Sequence, residues 1–581
     1  MVKISFNGIE REVDDGTTIL EAAQEIGIDI PTLCHNERLS SPGACRMCVV
    51  EVEGSRNLLP SCSTHVKEGM SITTNSKRVI DSRRMTLQLL IAEHPSCLEC
   101  SRNGDCRLQR HAETLVIDEN IFNKTKDIPK EYSISLERDN QLCILCGQCV
   151  RVCDEVQSVH AIDFVNRGHK SYVGTAFDIS IDDAPCVSCG QCVLHCPTGA
   201  LNEKLDIQPV LDALDQKRKN PDKHLVAQIA PSVRVSAGEP FGLEPGELVT
   251  GKVTKALKMM GFDAVFDIDF SADLTIMEEA NELVERISSG GKLPMFTSCC
   301  PGWVKFMENY YPDMLGNLST CKSPQGMHGA IAKTYYAEKI GKSAEDIIMV
   351  DVMPCTAKKF EINRPQLNKN GYKDIDHVLT TREFAKLCNI NSIDLASLED
   401  ADFDDPMGVA SGAGDIFGTT GGVMEAALRT AYETITSSKL EKLEFDEISG
   451  YEGVKLGKVE LDGKELSFGV AHGLNNARSV LEDIRSGKLN VDFFEVMACP
   501  GGCIGGGGQP RPTSVDVIKK RIAGLRSLDS SKTLRRSHEN PSIRKLYDDY
   551  LGQPGSELSH HLLHTRFYRR NRWKTSSEQR R

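Results

Sequence analysis

The chemistry in this sequence is carried by cysteine: 22 of them in 581 residues. Most lie two or three residues apart in separate knots, which is how metal ligands are arranged and not how a disulfide framework is spaced. Two runs are near copies of each other, Cys143-x2-Cys146-x2-Cys149-x3-Cys153 and Cys186-x2-Cys189-x2-Cys192-x3-Cys196-Pro197. That spacing holds a pair of 4Fe–4S clusters: three close thiolates clamp one cube and the fourth cysteine of each run reaches the other. The expected ligand sets are Cys143, Cys146, Cys149 and Cys196 for one cube, and Cys186, Cys189, Cys192 and Cys153 for its neighbour. Soft thiolates also suit zinc, but zinc-finger spacing rarely places four cysteines so close together.

A third group, Cys34-x10-Cys45-x2-Cys48-x13-Cys62, has the Cys-x2-Cys pair of a plant-type 2Fe–2S ferredoxin but a longer first gap. That longer form resembles the N-terminal domain of complex I large subunits and of iron-only hydrogenases. A fourth knot is His94-x2-Cys97-x2-Cys100-x5-Cys106. Alone it fits a zinc site made of three cysteines and a histidine; beside redox clusters it fits a His-ligated 4Fe–4S cluster, the reading preferred here. Zinc stays open as the alternative for both groups. So many iron–sulfur centres in one chain make an electron wire, and a wire needs a terminus.

Cys299, Cys300, Cys321, Cys355, Cys388, Cys499 and Cys503 remain, in the contexts TSCCPGW, MPCTAKKFE and FEVMACPGGCIGGGGQP for most of them. These three segments, in this order and after these domains, closely resemble the signature loops of the FeFe hydrogenases. The likeness runs from residue 1 to roughly 565. It implies reversible conversion of 2 H⁺ and 2 e⁻ into H₂ at an H-cluster, a 4Fe–4S cube joined through one cysteine to a di-iron unit with carbon monoxide, cyanide and azadithiolate. By matching positions, Cys300, Cys355, Cys499 and Cys503 hold the cube and Cys503 bridges to the di-iron unit. Lys358 would hydrogen-bond a cyanide. Ala230, Pro231, Ser232, Ile268, Ser323, Pro324, Gln325, Met353, Phe417 and Met497 would line the pocket. The glycines of GGCIGGGG suit a close backbone approach to a bulky guest.

Splitting H₂ frees a proton that must leave. Glu279, Glu282 and Arg286 fall on one face of a helix expected over 275–287, opened by a capping box from Thr275 to Glu278. Read without the family, that face is a solvated stripe with a Glu282–Arg286 salt bridge. The resemblance implies a relay through Cys299, Glu279, Ser319 and Glu282, ending near Arg286. Cys388 is expected to be a small buried hydrophobe. Cys321 lies two residues from Ser323; a thiol there would cap the open iron site under oxidation. A cysteine at this position resembles subunits of multimeric, NAD(P)-linked hydrogenases.

The elements that must position these residues are legible in outline. VKISFNG and EREV read as two strands around an Asn7-Gly8 turn, and TTILEAAQEIG as a helix stopped at Gly27. VVEVEG and NLLPSCS supply further strands, and SRRMTLQLLIAEH a helix. From about residue 210 the apolar runs HLVAQIA, DAVFDI, PMFTS and IIMVDVMP alternate with helical patterns, as in α/β layering. The expected fold class is multidomain α/β with α+β accessory domains. It comprises a β-grasp 2Fe–2S ferredoxin-like domain (1–80), a 4Fe–4S domain with histidine and cysteine ligands (81–125), a two-4Fe–4S ferredoxin-like domain (126–208), a large catalytic H-cluster domain (209–515) and a helical C-terminal segment (516–581). The tail RFYRRNRWKTSSEQRR, with seven basic residues and one acidic, reads as a frayed, solvated terminus.

A formal charge of −13 argues against a nucleic-acid binder, and no apolar run is long enough to span a bilayer. The start MVKISFNGIE lacks a signal-peptide pattern, so a cytoplasmic protein is expected. The expected electron partner is ferredoxin or a flavin- and NAD(P)-binding hydrogenase subunit, and hydrogenase maturation proteins would install the di-iron unit. Two rival functions are a hydrogen sensor that does not turn over and a complex I-like electron-transfer subunit. The second would lack all three catalytic segments.

Overall fold

The computed structural model describes residues 1–570 apart from 93, 95–96, 118–121, 123–129, 369–370, 437, 441, 446–452 and 462. The chain divides into two compact units. The smaller holds residues 1–155, 160–181 and 195–202; the larger holds 156–159, 182–194 and everything from 203 onward.

In the smaller unit, Val2–Phe6 and Ile9–Val13 form an antiparallel hairpin. Its turn is Asn7-Gly8, both at positive φ (51° and 84°), the conformation an Asn-Gly hairpin turn demands. Val2–Phe6 then pairs in parallel with Ser71–Thr73, and Val49–Val52 closes on Ser71–Thr73 antiparallel. NLLPSCS contributes only the short strand Leu59–Pro60. The helix Ile19–Glu25 carries a full capping box from Thr18 to Glu21 and buries Ile19, Leu20, Ala22 and Ala23. These side chains share a core with Phe6, Val50 and Ile72. The helix read in SRRMTLQLLIAEH starts earlier than its sequence suggests, at Lys77, and is capped by Ser76.

Among the described residues, the larger unit contains two four-stranded sheets. In the first, Ala264–Asp267, His224–Ile229, Ile347–Met353 and His377–Thr380 lie side by side, all parallel. Parallel strands are covered on both faces, hence their near-continuous apolar runs. In the second sheet Met295–Phe296, Phe493–Met497 and Lys464–His472 are parallel, and Val454–Leu461 adds an antiparallel edge. This architecture is the expected multidomain α/β class with α+β accessory domains.

Two local expectations fail. The helix expected over 275–287 runs over Ile268–Ser289, and its N-cap is Asp267, whose side chain accepts from the Asp269 N–H. Thr275 therefore lies within the helix and hydrogen-bonds the Ser271 carbonyl at 2.7 Å, while Glu278 faces the C-terminal segment. A capping-box pattern inside a longer apolar helix is only a coincidence of spacing. The tail is not frayed in its described part: Arg570 Nε donates to Glu308 Oε2 at 2.7 Å. Residues 571–581 of that tail lie outside the described residues.

Candidate active site

Two knots of the smaller unit form pockets lined by their own thiols, and no disulfide is formed among the described cysteines. Cys34, Cys45, Cys48 and Cys62 are buried together; the Cys48 and Cys62 sulfurs are 3.4 Å apart, and the Cys45 N–H points to Cys34 Sγ at 3.5 Å. His94, Cys97, Cys100 and Cys106 line one pocket. Cys143, Cys146, Cys149 and Cys196 line another, so the fourth cysteine of the second run joins the first three of the first. Cys153 belongs to the smaller unit; Cys186, Cys189 and Cys192 belong to the larger.

The repeat between the two runs extends to the backbone. Leu145 and Ser188 both take positive φ (54° and 59°), as do Gly147 and Gly190 (70° each). In each run the N–H two residues after the first cysteine points back to its sulfur, at 3.4 Å in both. Those turns aim successive thiols and N–H groups at one point, as a sulfur-rich anion requires.

The larger unit holds a cavity lined by Cys300, Cys355, Cys499 and Cys503. Each cysteine follows the carboxyl end of a parallel strand: Cys300 after Met295–Phe296, Cys355 after Ile347–Met353, Cys499 and Cys503 after Phe493–Met497. Ala230, Pro231 and Ser232 follow His224–Ile229, and Ile268 follows Ala264–Asp267; all four line the same space. Ligands of open α/β sheets collect at this edge because the chain leaves each strand there into a loop free to be shaped. Pro324, Met353, Phe417 and Met497 add apolar wall, and Gln325 adds a buried amide. Ser323 stands off the lining and accepts from Lys358 Nζ at 2.7 Å.

Does this site fit an iron–sulfur cube, whose metal core is positive before the thiolates bind? Cys499 is buried and Cys300, Cys355 and Cys503 are half-buried along the cavity, and each thiol is pushed above the ordinary range, by loss of solvent first. Cys355, next to Cys300, rises to about 11. Four such groups become thiolates together only around a positive centre. The loop backbone fits too. A Cβ on Gly506 would meet the Pro354 carbonyl oxygen at 2.3 Å, and Gly502 takes φ of 99°. The residues present therefore fit the group.

Lys358 lines the cavity and ion-pairs with Glu361 at 2.7 Å. Burial lowers its affinity for a proton, but Glu361 more than offsets that and holds the ammonium. Cys299 is also on the lining, its thiol raised well above the ordinary range by burial and then by Glu279. Glu279 is fully buried, one carboxylate oxygen has no hydrogen-bond partner, and burial with the nearby Glu282 raises its pKa to about 8. Ser319 Oγ donates to Glu282 Oε2 at 2.9 Å, and Arg286 Nη2 donates to Glu282 Oε1 at 2.6 Å. Cys321 is not on the cavity lining; its thiol turns to Glu282 Oε2 at 3.9 Å. The sequence expectation that it caps the iron site is overturned by that orientation. Cys388 is fully buried in the apolar core, as a small hydrophobe.

Residues 223–507 match the family described as iron only hydrogenase large subunit, C-terminal domain, and 515–570 match the iron hydrogenase small subunit. Residues 1–77 match a 2Fe–2S iron–sulfur cluster binding domain, 83–120 the NADH-ubiquinone oxidoreductase-G iron–sulfur binding region, and 142–200 a 4Fe–4S dicluster domain. The NADP-reducing hydrogenase subunit HndD of Solidesulfovibrio fructosivorans is 50% identical, over 98% of this chain and 100% of that one. The chain belongs to the iron-only, or FeFe, hydrogenase family. Iron hydrogenase 1 of Clostridium pasteurianum is 42% identical over 98% of this chain and 100% of its own. A solved Cys-to-His variant of apo [FeFe]-hydrogenase HydA1 from Chlamydomonas reinhardtii superposes with a TM-score of 0.57 at 43% identity, covering 63% of this chain and 99% of that one.

Four residues of this FeFe hydrogenase chain escaped the sequence reading. Glu361, partner of Lys358, was legible as an i, i+3 pair on AKKFE. Asp269 lines the cavity from the first turn of a helix, and no spacing signalled it. Thr356 Oγ1 donates to the Ser188 carbonyl at 2.7 Å, tying the Cys355 loop to the Cys186–Cys192 run. Glu495 accepts the Gly421 and Met424 N–H groups, and burial raises its pKa to about 7. The last two depend on partners at least 70 positions away.

Proposed function

We propose that the chain delivers electrons through one 2Fe–2S and three accessory 4Fe–4S clusters to an H-cluster, and moves protons separately along the 268–289 helix. The observation that carries this is the convergence of Cys300, Cys355, Cys499 and Cys503, from three distant loops, on one cavity. These four would hold the cube, with Cys503 shared by the di-iron unit. When bound, the group supplies reversible H₂ cleavage and formation. The accessory sets are Cys34, Cys45, Cys48 and Cys62; His94, Cys97, Cys100 and Cys106; and the two quartets drawn from the repeated runs. We propose domain boundaries at 80, 125, 208 and 515 on the same grounds.

The chain's own residues do the rest. The apolar walls from Ala230, Pro231, Ile268, Phe417 and Met497 exclude water and lower the local dielectric. Lys358, kept protonated by Glu361, would hold an anionic ligand of the group. Cys299 and Glu279 are groups whose burial keeps them protonated near neutrality, so each passes a proton without storing charge. From Glu279 the proton passes through Ser319 to Glu282, and the Arg286 guanidinium fixes Glu282 at the outer end. Electrons reach the cavity by the Cys186–Cys192 run: a Cβ on Gly190 would meet Thr356 Oγ1 at 2.4 Å and Gly507 Cα at 3.0 Å. Only glycine allows that run to lie directly on the cavity loops.

The electron partner we favour is a flavin- and NAD(P)-binding subunit. The support is the extended likeness to an NADP-reducing hydrogenase subunit and the match at 83–120 to an NADH-oxidoreductase region. Ferredoxin is the competing partner. No described helix is long and apolar enough to cross a membrane; with so many reduced thiols to keep, a cytoplasmic location is the one proposed. The test is H₂ evolution by purified, fully matured protein, with infrared bands of bound carbon monoxide and cyanide. Bands without turnover would favour the hydrogen sensor instead.

A further inference from the structure

Glu282, Cys321 and His564 come from three separate segments, and the proposed hydrogen chemistry uses only the first. One ligand atom from each lies within 4.8 Å of the others. We propose that these three residues form a zinc site beside the proton route, and that filling it closes the route. The site rests on geometry alone; its effect on turnover rests on the relay reading above.

The backbone builds half of it. Cys321 and His564 face each other across an antiparallel bridge. The Lys322 N–H bonds the Leu563 carbonyl and the Thr565 N–H bonds the Thr320 carbonyl, both at 2.7 Å. Those bonds flank the pair and do not join it, which is the arrangement that brings opposed side chains closest. The 268–289 helix supplies Glu282. Arg286 anchors its Oε1, and its Oε2 turns to the bridge, 3.9 Å from Cys321 Sγ. Between them sits the Thr320 hydroxyl, 3.2 Å from Glu282 Oε2 and 2.7 Å from His564 Nδ1.

The support behind the imidazole is what a metal site needs. His564 Nε2 lies 3.1 Å from Glu278 Oε2. A carboxylate at one ring nitrogen holds the proton there and leaves the other lone pair for a metal, the usual outer support of a zinc-bound histidine. Glu278 is itself fixed, by the Tyr547 hydroxyl at 2.5 Å and the Gly555 N–H at 2.9 Å. A thiolate, an imidazole and a carboxylate are zinc's ligands, whereas magnesium and calcium take oxygens. The two anions balance the dication. On binding, the Cys321 S–H bond breaks, its proton goes to water, the S–Zn bond forms, and no electron moves. The Thr320 hydroxyl or a water completes four-coordination. His564 also lines a surface groove with His560 and His561, and the His560 ring stacks on it with centroids 4.6 Å apart. Those imidazoles give the ion a path inward. A bound ion takes Glu282 Oε2, the atom that Ser319 needs.

The test uses the full chain with its iron–sulfur clusters in place, freed of loose metal with a chelator and titrated anaerobically with zinc chloride. We expect one zinc per chain whose X-ray absorption shows a single sulfur at about 2.3 Å, with nitrogen or oxygen at about 2.0 Å. Cys321→Ala should remove that sulfur and weaken binding by about 100-fold or more. Cys321→Ser serves the same purpose should the alanine variant lose its clusters, and His564→Gln should weaken binding comparably. Zinc without sulfur (surface histidines), zinc with three or four sulfurs (vacated cluster sites), or binding unchanged in Cys321→Ala would each overturn the site. In matured enzyme, zinc should slow H₂ evolution in wild type at least tenfold and leave Cys321→Ala unaffected. Binding without that loss keeps the site and overturns the relay through Glu282.

Discussion

The accessory cluster sites and the catalytic cavity use the same ligand, yet they are assembled in opposite ways. In the smaller unit, the Cys97–Cys106 thiols and the Cys143–Cys149 thiols each sit within one short stretch, with positive-φ residues between them. In the larger unit, the four thiols span residues 300 to 503 and meet only because parallel strands of two sheets end at one cavity. A local knot can form before the domain is complete; the cavity exists only when the whole sheet layer does. Damage to packing should therefore empty the cavity while the accessory clusters persist, and damage to one knot should remove one cluster and leave the cavity intact.

The largest effect that would test this contrast is Cys503→Ala. Turnover should vanish while the electron paramagnetic signals of the accessory clusters stay; joint loss of both would break the distinction. Next comes the relay. Glu279→Gln should cut H₂ evolution by about 10²–10⁴-fold, with the infrared bands of the cofactor unchanged, and Cys299→Ser should do the same. Near wild-type rates in both would remove this route.

A glycine change sharpens the comparison at the backbone. A Cβ on Gly507 would meet the Cys189 carbonyl oxygen at 2.3 Å. Gly507→Ala should destabilise the larger unit by about 1–3 kcal/mol or more and lower occupancy of the catalytic cube. The 2Fe–2S visible spectrum of the smaller unit should not change.

The smallest predicted effect is on pH dependence. The Glu279 carboxyl is raised to about 8 in the folded chain, from an ordinary 4.5. Between those values the folded state holds a proton that the unfolded state has released, so its contribution to stability falls as pH rises. The denaturant midpoint of wild type should drop more than that of Glu279→Gln between about pH 5 and about pH 9. Equal slopes would place Glu279 in water.

How much of this could be seen without coordinates follows the same division. The knots were legible because their ligands are neighbours in sequence, and spacing is itself the geometry. The Glu282–Arg286 pair was legible because helix periodicity puts i and i+4 together. The capping box at Thr275 misled because spacing alone does not show where a helix begins; Asp267, eight positions earlier, starts it. Which way Cys321 points was not legible either. Its backbone is set by a bridge to His564, more than two hundred residues away, and side-chain direction follows the backbone there.

By itself, then, the sequence determined the ligand types, their local spacing, the alternation of strands and helices, and, through its likeness to a family, the chemistry to expect. Tertiary structure alone decided which of seven scattered thiols face the cavity, which carboxylates are buried enough to hold protons, and where Cys321 turns. Short-range geometry is written in chain connectivity, but burial and convergence are properties of packing between segments that the chain leaves far apart.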